Sequence, residues 1–346
     1  MNLPTKCLVG AATAMGGYLL GKELIRRTRR FPFREKVAVI MGGSRGLGLE
    51  IARLLVQQGC RVAICARTEA DLETARKELS SAARFVITCV CDVRSTPDVE
   101  RAIAEVAGAW NRIDLLFNVA GLMQVGPLES MTSDDFQEAM NINLWGPYRS
   151  ISAALPHMRK QKFGRIVNIA SIGGIQAIPH MAPYSTSKHA LVGLSHALRT
   201  ELAQEGILVT TACPTIMRTG SPRNATFKGR HRDEYTWFDI GASIPWLSLE
   251  SRSAARQIVR ACWNGDGEVD ICNFLNPATL AVRWAPRLTA EAMSVANRLL
   301  PPMGGIQTQS AYGYESESPV APSWLTRNGD LAAERNNQMR PRPEPA

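Results

Sequence analysis

Tyr184 and Lys188 stand four residues apart in the stretch Tyr184-Ser185-Thr186-Ser187-Lys188, so on a helix both project from one face. A phenol beside a fixed ammonium makes a proton donor, because the positive charge favours phenolate and lowers the tyrosine pKa. Taken alone, the pair reads as a solvated helix face. Its meaning depends on what the rest of the chain sets around it.

The elements that must hold this pair alternate regularly. Val37-Ala38-Val39-Ile40-Met41 is a short apolar run ending in glycines, as a buried parallel strand should be. A helix follows over 47–58, then a strand over 61–66, a helix over 69–81, a strand over 85–91, a helix over 96–109 and a strand over 113–118. Helices near 132–143 and 147–160 lead to a strand at 165–170, a helix around 184–204 and a strand at 208–213. After an irregular stretch come a helix over 251–263 and a last strand over 268–272. Strands separated by helices of this length predict an α/β fold with a doubly wound parallel sheet, helices on both faces, in one domain over 36–275.

Between the first strand and first helix lies Gly42-Gly43-Ser44-Arg45-Gly46-Leu47-Gly48. Glycines there let the backbone turn tightly and let a phosphate approach the helix amino terminus, where free N–H groups and the dipole favour anions. Arg67 follows the second strand, where dinucleotide folds preferring NAD place an acid for the ribose hydroxyls. An arginine pairs instead with a 2′-phosphate.

The set Gly42-x-x-x-Gly46-x-Gly48, Asn118-Val119-Ala120-Gly121, Asn143, Ser171 and Tyr184-x-x-x-Lys188 resembles, in order and spacing, the short-chain dehydrogenase/reductase family. The likeness covers about residues 36–275 and points to its subgroup of simple oxidoreductases, with a Rossmann-like fold. It implies that Tyr184 exchanges a proton with a carbonyl or alcohol oxygen and that Ser171 orients that oxygen. Lys188 would bind the nicotinamide ribose and depress the Tyr184 pKa, while Asn143 would hold a water relaying protons. The cofactor would be NADP(H), Arg45 resembling the second basic residue of NADP-preferring relatives. Gly42, Ser44, Gly46, Leu47 and Gly48 would cradle it. Asp92 and Val93 would meet the adenine, with Asn118, Ala120 and Gly121 along the fourth strand and Pro214 and Thr219 at the nicotinamide. The family also implies a homo-oligomer. Met41, Val119 and Thr215 depart from its usual residues without removing a proton-transfer group.

Composition sets the limits. The formal charge is +9, but residues 1–36 hold eight basic residues against two acidic ones, so this is a local patch and gives no case for nucleic acid. Eight cysteines show no paired spacing and five histidines are scattered, which suggests reduced buried thiols, a cytoplasmic compartment and no metal site. Residues 7–21 are uncharged and are followed by Arg26, Arg27, Arg29 and Arg30. Residues 1–35 are therefore expected to form an apolar leader and basic linker that attach the chain to a membrane, with the body on the cytoplasmic side. Residues 215–250 break the rhythm and should carry substrate contacts. Residues 276–303 read as a helical extension that covers the cleft, touches a bilayer or simply packs. The tail 304–346 reads as disordered. The expected reaction is reduction of a carbonyl, or its reverse, on a small and lipophilic substrate. The competing readings are a non-catalytic NADPH-binding scaffold and an epimerase that retains its cofactor.

Overall fold

The computed structural model describes residues 3–80, 85–273 and 277–339. After a long leader helix α1 (Leu3–Arg29), the alternation runs β1 (Val37–Met41), α2 (Gly46–Gln57), β2 (Arg61–Ala66), α3 (Glu69–Ser80), β3 (Val86–Val90), α4 (Thr96–Trp110) and β4 (Leu115–Asn118). A short strand β5 (Gln124–Val125) precedes α5 (Ser133–Met140), α6 (Gly146–Gln161), β6 (Gly164–Ile169), α7 (Ala182–Leu202) and β7 (Ile207–Pro214). The next segment holds β8 (Met217–Arg218), β9 (Thr226–Phe227), α8 (His231–Ser243) and β10 (Leu249–Glu250). It leads to α9 (Ser251–Asn264), β11 (Glu268–Ile271), α10 (Pro277–Trp284), α11 (Pro286–Ala296), β12 (Ala311–Tyr312) and α12 (Arg327–Arg335).

The main sheet has seven parallel strands in the order β11-β7-β6-β4-β1-β2-β3. The period of two in β1 divides the core. Ala38 and Ile40 join the cluster under α2, α3 and α9, while Val37, Val39 and Met41 join the one under α4 and α6. The strand order reverses at β1, whose neighbours are β2 and β4. A crevice therefore opens at the carboxyl ends of those strands, the usual ligand position in such sheets.

Two expectations need correction. The tail is not disordered over 304–339: β12 pairs antiparallel with β9, which lies beside β5, and α12 packs on α8. Its polar residues are held by distant partners. Ser316 and Asn336 are fully buried, meeting His231 and Ser251 respectively at 2.9 and 3.1 Å. Residues 340–346 lie outside the described residues.

The basic cluster is also placed differently from a headgroup-binding patch. Arg26 pairs with Asp266 at 2.7 Å, Arg29 donates to the Gly265 carbonyl, and Arg30 donates to Asn264 and lies over the Trp263 ring. These arginines dock α1 on the carboxyl end of α9, where the helix dipole favours cations. Arg27 alone of the four stands out, its side chain 69% exposed. Among the described residues no helix is long and apolar enough to cross a membrane.

Candidate active site

Pro183 sits in the first turn of α7, a position that needs no amide hydrogen, so Tyr184 and Lys188 occupy its first two turns. Lys188 is 4% exposed and donates from Nζ to the Ile169 carbonyl at 2.8 Å, at the end of β6. Ser171 follows that strand in extended backbone, and its Oγ accepts from the Gly173 amide. The Tyr184 phenol hydrogen-bonds the Ser171 side chain, and both line one cavity with Lys188.

The electrostatics differ from the expected depression of the phenol. Burial pushes Tyr184 up, with the Ser171 hydrogen bond acting against it. Lys188 is pushed down to about 8, again by burial. Its ammonium is 5.7 Å from the Tyr184 ring centroid and is engaged by a backbone carbonyl. A buried cation with no carboxylate partner among the described residues loses solvation with little return, so its pKa falls.

Asn143 lies in a π turn, Asn141–Trp145, which joins α5 to α6 where the sequence predicts a break between two helices. Such bulges recur at functional sites because they loosen the regular backbone pairing. The carboxamide is fully buried. It accepts from the Leu122 amide and donates to the Leu122 carbonyl and Ser187 Oγ. A Cβ on Gly121 would lie 3.2 Å from Asn143 Oδ1 and 3.7 Å from Lys188 Nζ, so Gly121 keeps that corner open.

A cavity of about 390 Å³ runs from these groups to the glycine loop. Gly42, Ser44, Arg45, Gly46, Leu47, Gly48, Arg67, Asp92, Val93, Ala120, Gly121, Ser171, Tyr184, Lys188, Pro214 and Thr219 all line it. A Cβ on Gly48 would lie 2.0 Å from the Gly42 carbonyl oxygen, so only glycine lets α2 start against this turn. Arg45 and Arg67 share the cavity. Burial lowers the Arg45 pKa while nearby Asp71, 3.6 Å away, opposes that. Two guanidiniums beside a helix amino terminus form a donor set suited to a phosphate-bearing dinucleotide. Asp92 is held low by its hydrogen bonds with Arg94, against the opposing effect of burial.

Asn118 and Asn143 do not line the cavity. Asn118 turns inward, donating to Asn168 and accepting from Ser150 Oγ at 2.6 Å. Its role is to tie β4 to β6 and α6, a correction to the expected cofactor contact. The Met41 carbonyl accepts from the amides of Val119 and Ala120, so the strand ends are joined by backbone there.

The model of the short chain dehydrogenase family matches residues 36–228. A putative ketoacyl reductase from Streptomyces coelicolor is 40% identical over 200 residues, covering 57% of this chain and 76% of that protein. This chain belongs to the short-chain dehydrogenases. Another relative, the 3-oxoacyl-[acyl-carrier-protein] reductase of Bos taurus, is 36% identical over 185 residues, 54% of this chain and 77% of its own. A tryptophan variant of actinorhodin polyketide ketoreductase, solved with NADPH, superposes with a TM-score of 0.61 at 34% identity. It covers 69% of this chain and 96% of that one. The protein is thus an oxidoreductase of that family.

The short-chain dehydrogenase carries further cavity residues that the sequence did not single out. Trp237, Phe238 and Ala242 come from α8, in the stretch expected to hold substrate contacts. Met123, Ile178, Met181 and Ile216 complete an apolar wall. Trp237 is fixed from behind: its Nε1 donates to Glu234 Oε2 at 2.7 Å, and Glu234 Oε1 lies 2.7 Å from His180 Nδ1. Gln338, Asn224 and Asp71 are also in the lining, and no local motif announces them. By contrast, α10 and α11 stay off the cavity. Trp284, Leu288 and Leu299 are exposed, and Thr289 touches Gln176. Cys213, Glu268 and Asp270 cluster closely enough for a metal, but Arg283 already pairs with both carboxylates. The described cysteines are free, and burial holds Cys60, Cys91, Cys213 and Cys262 up at about 12.

Proposed function

We propose that this dehydrogenase is an NADP(H)-dependent reductase of a carbonyl on an apolar substrate, with oxidation of the secondary alcohol as the reverse. The observation that carries this is the single cavity in which Arg45 and Arg67 stand at one end and Tyr184, Ser171 and Lys188 at the other. Ketoacyl reductases among its relatives, and the NADPH in the superposed ketoreductase, support the same reading. The bound nicotinamide supplies or takes the hydride. The glycine loop with Ser44, Arg45 and Arg67 binds the phosphates, and Asp92, Val93, Ala120, Gly121, Pro214 and Thr219 border the rest of the dinucleotide.

Tyr184 gives its phenolic proton to the substrate oxygen, and Ser171 hydrogen-bonds that oxygen so that it faces the phenol. Lys188 restores the proton near neutral pH and holds ribose hydroxyls. Asn143 fixes the Leu122 backbone and Ser187 beside that path. The apolar wall of Met123, Ile178, Met181, Ile216, Trp237 and Phe238 excludes water and selects a greasy body next to the carbonyl. The test is absorbance at 340 nm with NADPH and a panel of aliphatic, aromatic and acyl ketones. Turnover of bulky apolar ketones is expected, and Tyr184→Phe should abolish it while NADPH still binds. A protein that binds NADPH but turns over no ketone or alcohol would favour a non-catalytic role.

A further inference from the structure

We propose that the carboxyl-terminal segment Asn336–Gln338 is a clasp across the dinucleotide site that sets how fast the cofactor leaves. This rests on the reading of the glycine-loop cavity as the NADP(H) site.

The segment lies some three hundred residues beyond the loop it touches. The Gly46 amide donates to the Asn336 carbonyl at 2.9 Å. Asn337 Nδ2 donates to the carbonyls of Ser44 and Asp71 at 3.1 and 3.3 Å. On the opposite side of the cleft, Asn224 Nδ2 donates to Gln338 Oε1 at 2.7 Å and to the Gln338 carbonyl at 2.9 Å. Asn224 Oδ1 in turn accepts from Arg45 at 3.4 Å. The chain of contacts therefore runs from the phosphate-binding turn, through the tail, to the turn at 221–224, and back to Arg45.

The fit is close. Gly46 has φ +58°, and a Cβ there would lie 2.6 Å from Gln338 Nε2. Asn336, Gln338 and Asn224 are 0, 7 and 1% exposed, and buried amides of this kind are tolerated only with partners. Here the partners belong to the very loops that would hold the dinucleotide.

The clasp is anchored independently of any ligand. Arg53 donates to the Arg335 carbonyl at 2.7 Å and to Asn336 Oδ1 at 3.1 Å, and Asn336 Nδ2 reaches Ser251. Gly220 leaves room for α12, since a Cβ there would lie 2.3 Å from Ala333 Cα. A cofactor lodged between the glycine loop and residues 221–224 would be bridged by Gln338, so departure requires the Gln338–Asn224 contact to break. Removing that bridge should accelerate release more than it alters the chemistry.

The experiment is stopped-flow fluorescence of NADPH dissociation from the full chain, wild type against Gln338→Ala and, separately, Asn337→Ala, each with a melting curve. Gln338→Ala should speed dissociation by about fivefold, the scale of the one side-chain hydrogen bond lost, since the bond to the Gln338 carbonyl survives. Asn337→Ala should show a smaller rise, and the substrate KM should change little in either. An unchanged dissociation rate with a lowered melting temperature would make the segment a structural strap and overturn the clasp. Slower dissociation would make it an autoinhibitory contact and overturn the clasp equally. A wild-type chain that binds no dinucleotide would overturn the site reading, and the clasp with it.

Discussion

Lys188 rests its ammonium on the carbonyl oxygen of Ile169 at 2.8 Å, and the Tyr184 ring centroid is 5.7 Å away. In the proposed mechanism the lysine therefore serves the phenol as a nearby proton reservoir rather than as a contact ion. Burial shapes both groups, raising Tyr184 and bringing Lys188 to about 8. In the proposed reaction a proton on this pair is needed for reduction and must be absent for oxidation.

The pH profile follows from that sign. Reductive kcat/KM should be level below neutrality and fall as pH rises through about 8, where Lys188 loses its proton. Oxidation should rise through the same region. Lys188→Met should remove that limb and lower the rate by roughly a hundredfold or more, the scale of a lost proton-transfer group. Initial rates with NADPH between about pH 6 and about pH 10 provide the check; a flat wild-type profile through pH 8 would refute the reservoir role.

Cofactor choice is tested at Arg67, which shares the cavity with Arg45. In Arg67→Glu a carboxylate replaces the guanidinium, repelling a 2′-phosphate and accepting from a ribose hydroxyl instead. The NADPH KM should rise about tenfold or more while the NADH KM holds or falls. Equal changes for the two cofactors would remove the phosphate contact from the account.

Much of this site was legible before the fold because its chemistry resides in residue types at fixed spacing. Gly42 to Gly48, Ser171, Tyr184 and Lys188 are local motifs, and the strand–helix alternation places them at one sheet edge. What escaped depends on distance in the sequence. The tail read as disordered because it is poor in apolar residues, yet Ser316, Thr326 and Asn336 are fully buried with polar partners. No composition rule sees a hydrogen bond between residues 336 and 251. The π turn around Asn143 has no compositional mark either. In α8, Tyr235, Trp237 and Phe238 alternate with charges whose partners lie elsewhere, as Glu234 does with His180. Asn118 was misplaced because its motif says which strand end it occupies, not which way its side chain turns.

Glu234 offers a test of the substrate wall. It is fully buried and bridges His180 and Trp237. In Glu234→Gln the charge is lost and one arm becomes an N–H donor, so both contacts survive only if His180 Nδ1 acts as acceptor, and the hold on Trp237 weakens. Charge-assisted bonds of this kind are worth about 1.5–3 kcal/mol. KM for bulky apolar ketones should rise about five- to tenfold, with NADPH affinity unchanged. A parallel loss of NADPH binding would mean that the network supports the whole lobe rather than Trp237.

The last prediction concerns the packing of α12 on α8. Asp239 is 4% exposed and faces Tyr235, Asp330 and, more distantly, Arg223. Its pKa is pushed up to about 7, first by burial and then by Asp330 on α12. Unfolded, the same carboxyl titrates near about 3.9. Between those values the folded chain holds a proton that the unfolded chain has released, so stability falls as pH rises through that window. The full penalty is in place above about 7. Asp239→Asn keeps the shape without the charge. Its melting temperature should therefore exceed that of the wild type by several degrees at about pH 8 and match it near about pH 4. Thermal unfolding at both pH values decides the point, and a gain that is equal at the two would assign the stabilisation to something other than the buried charge.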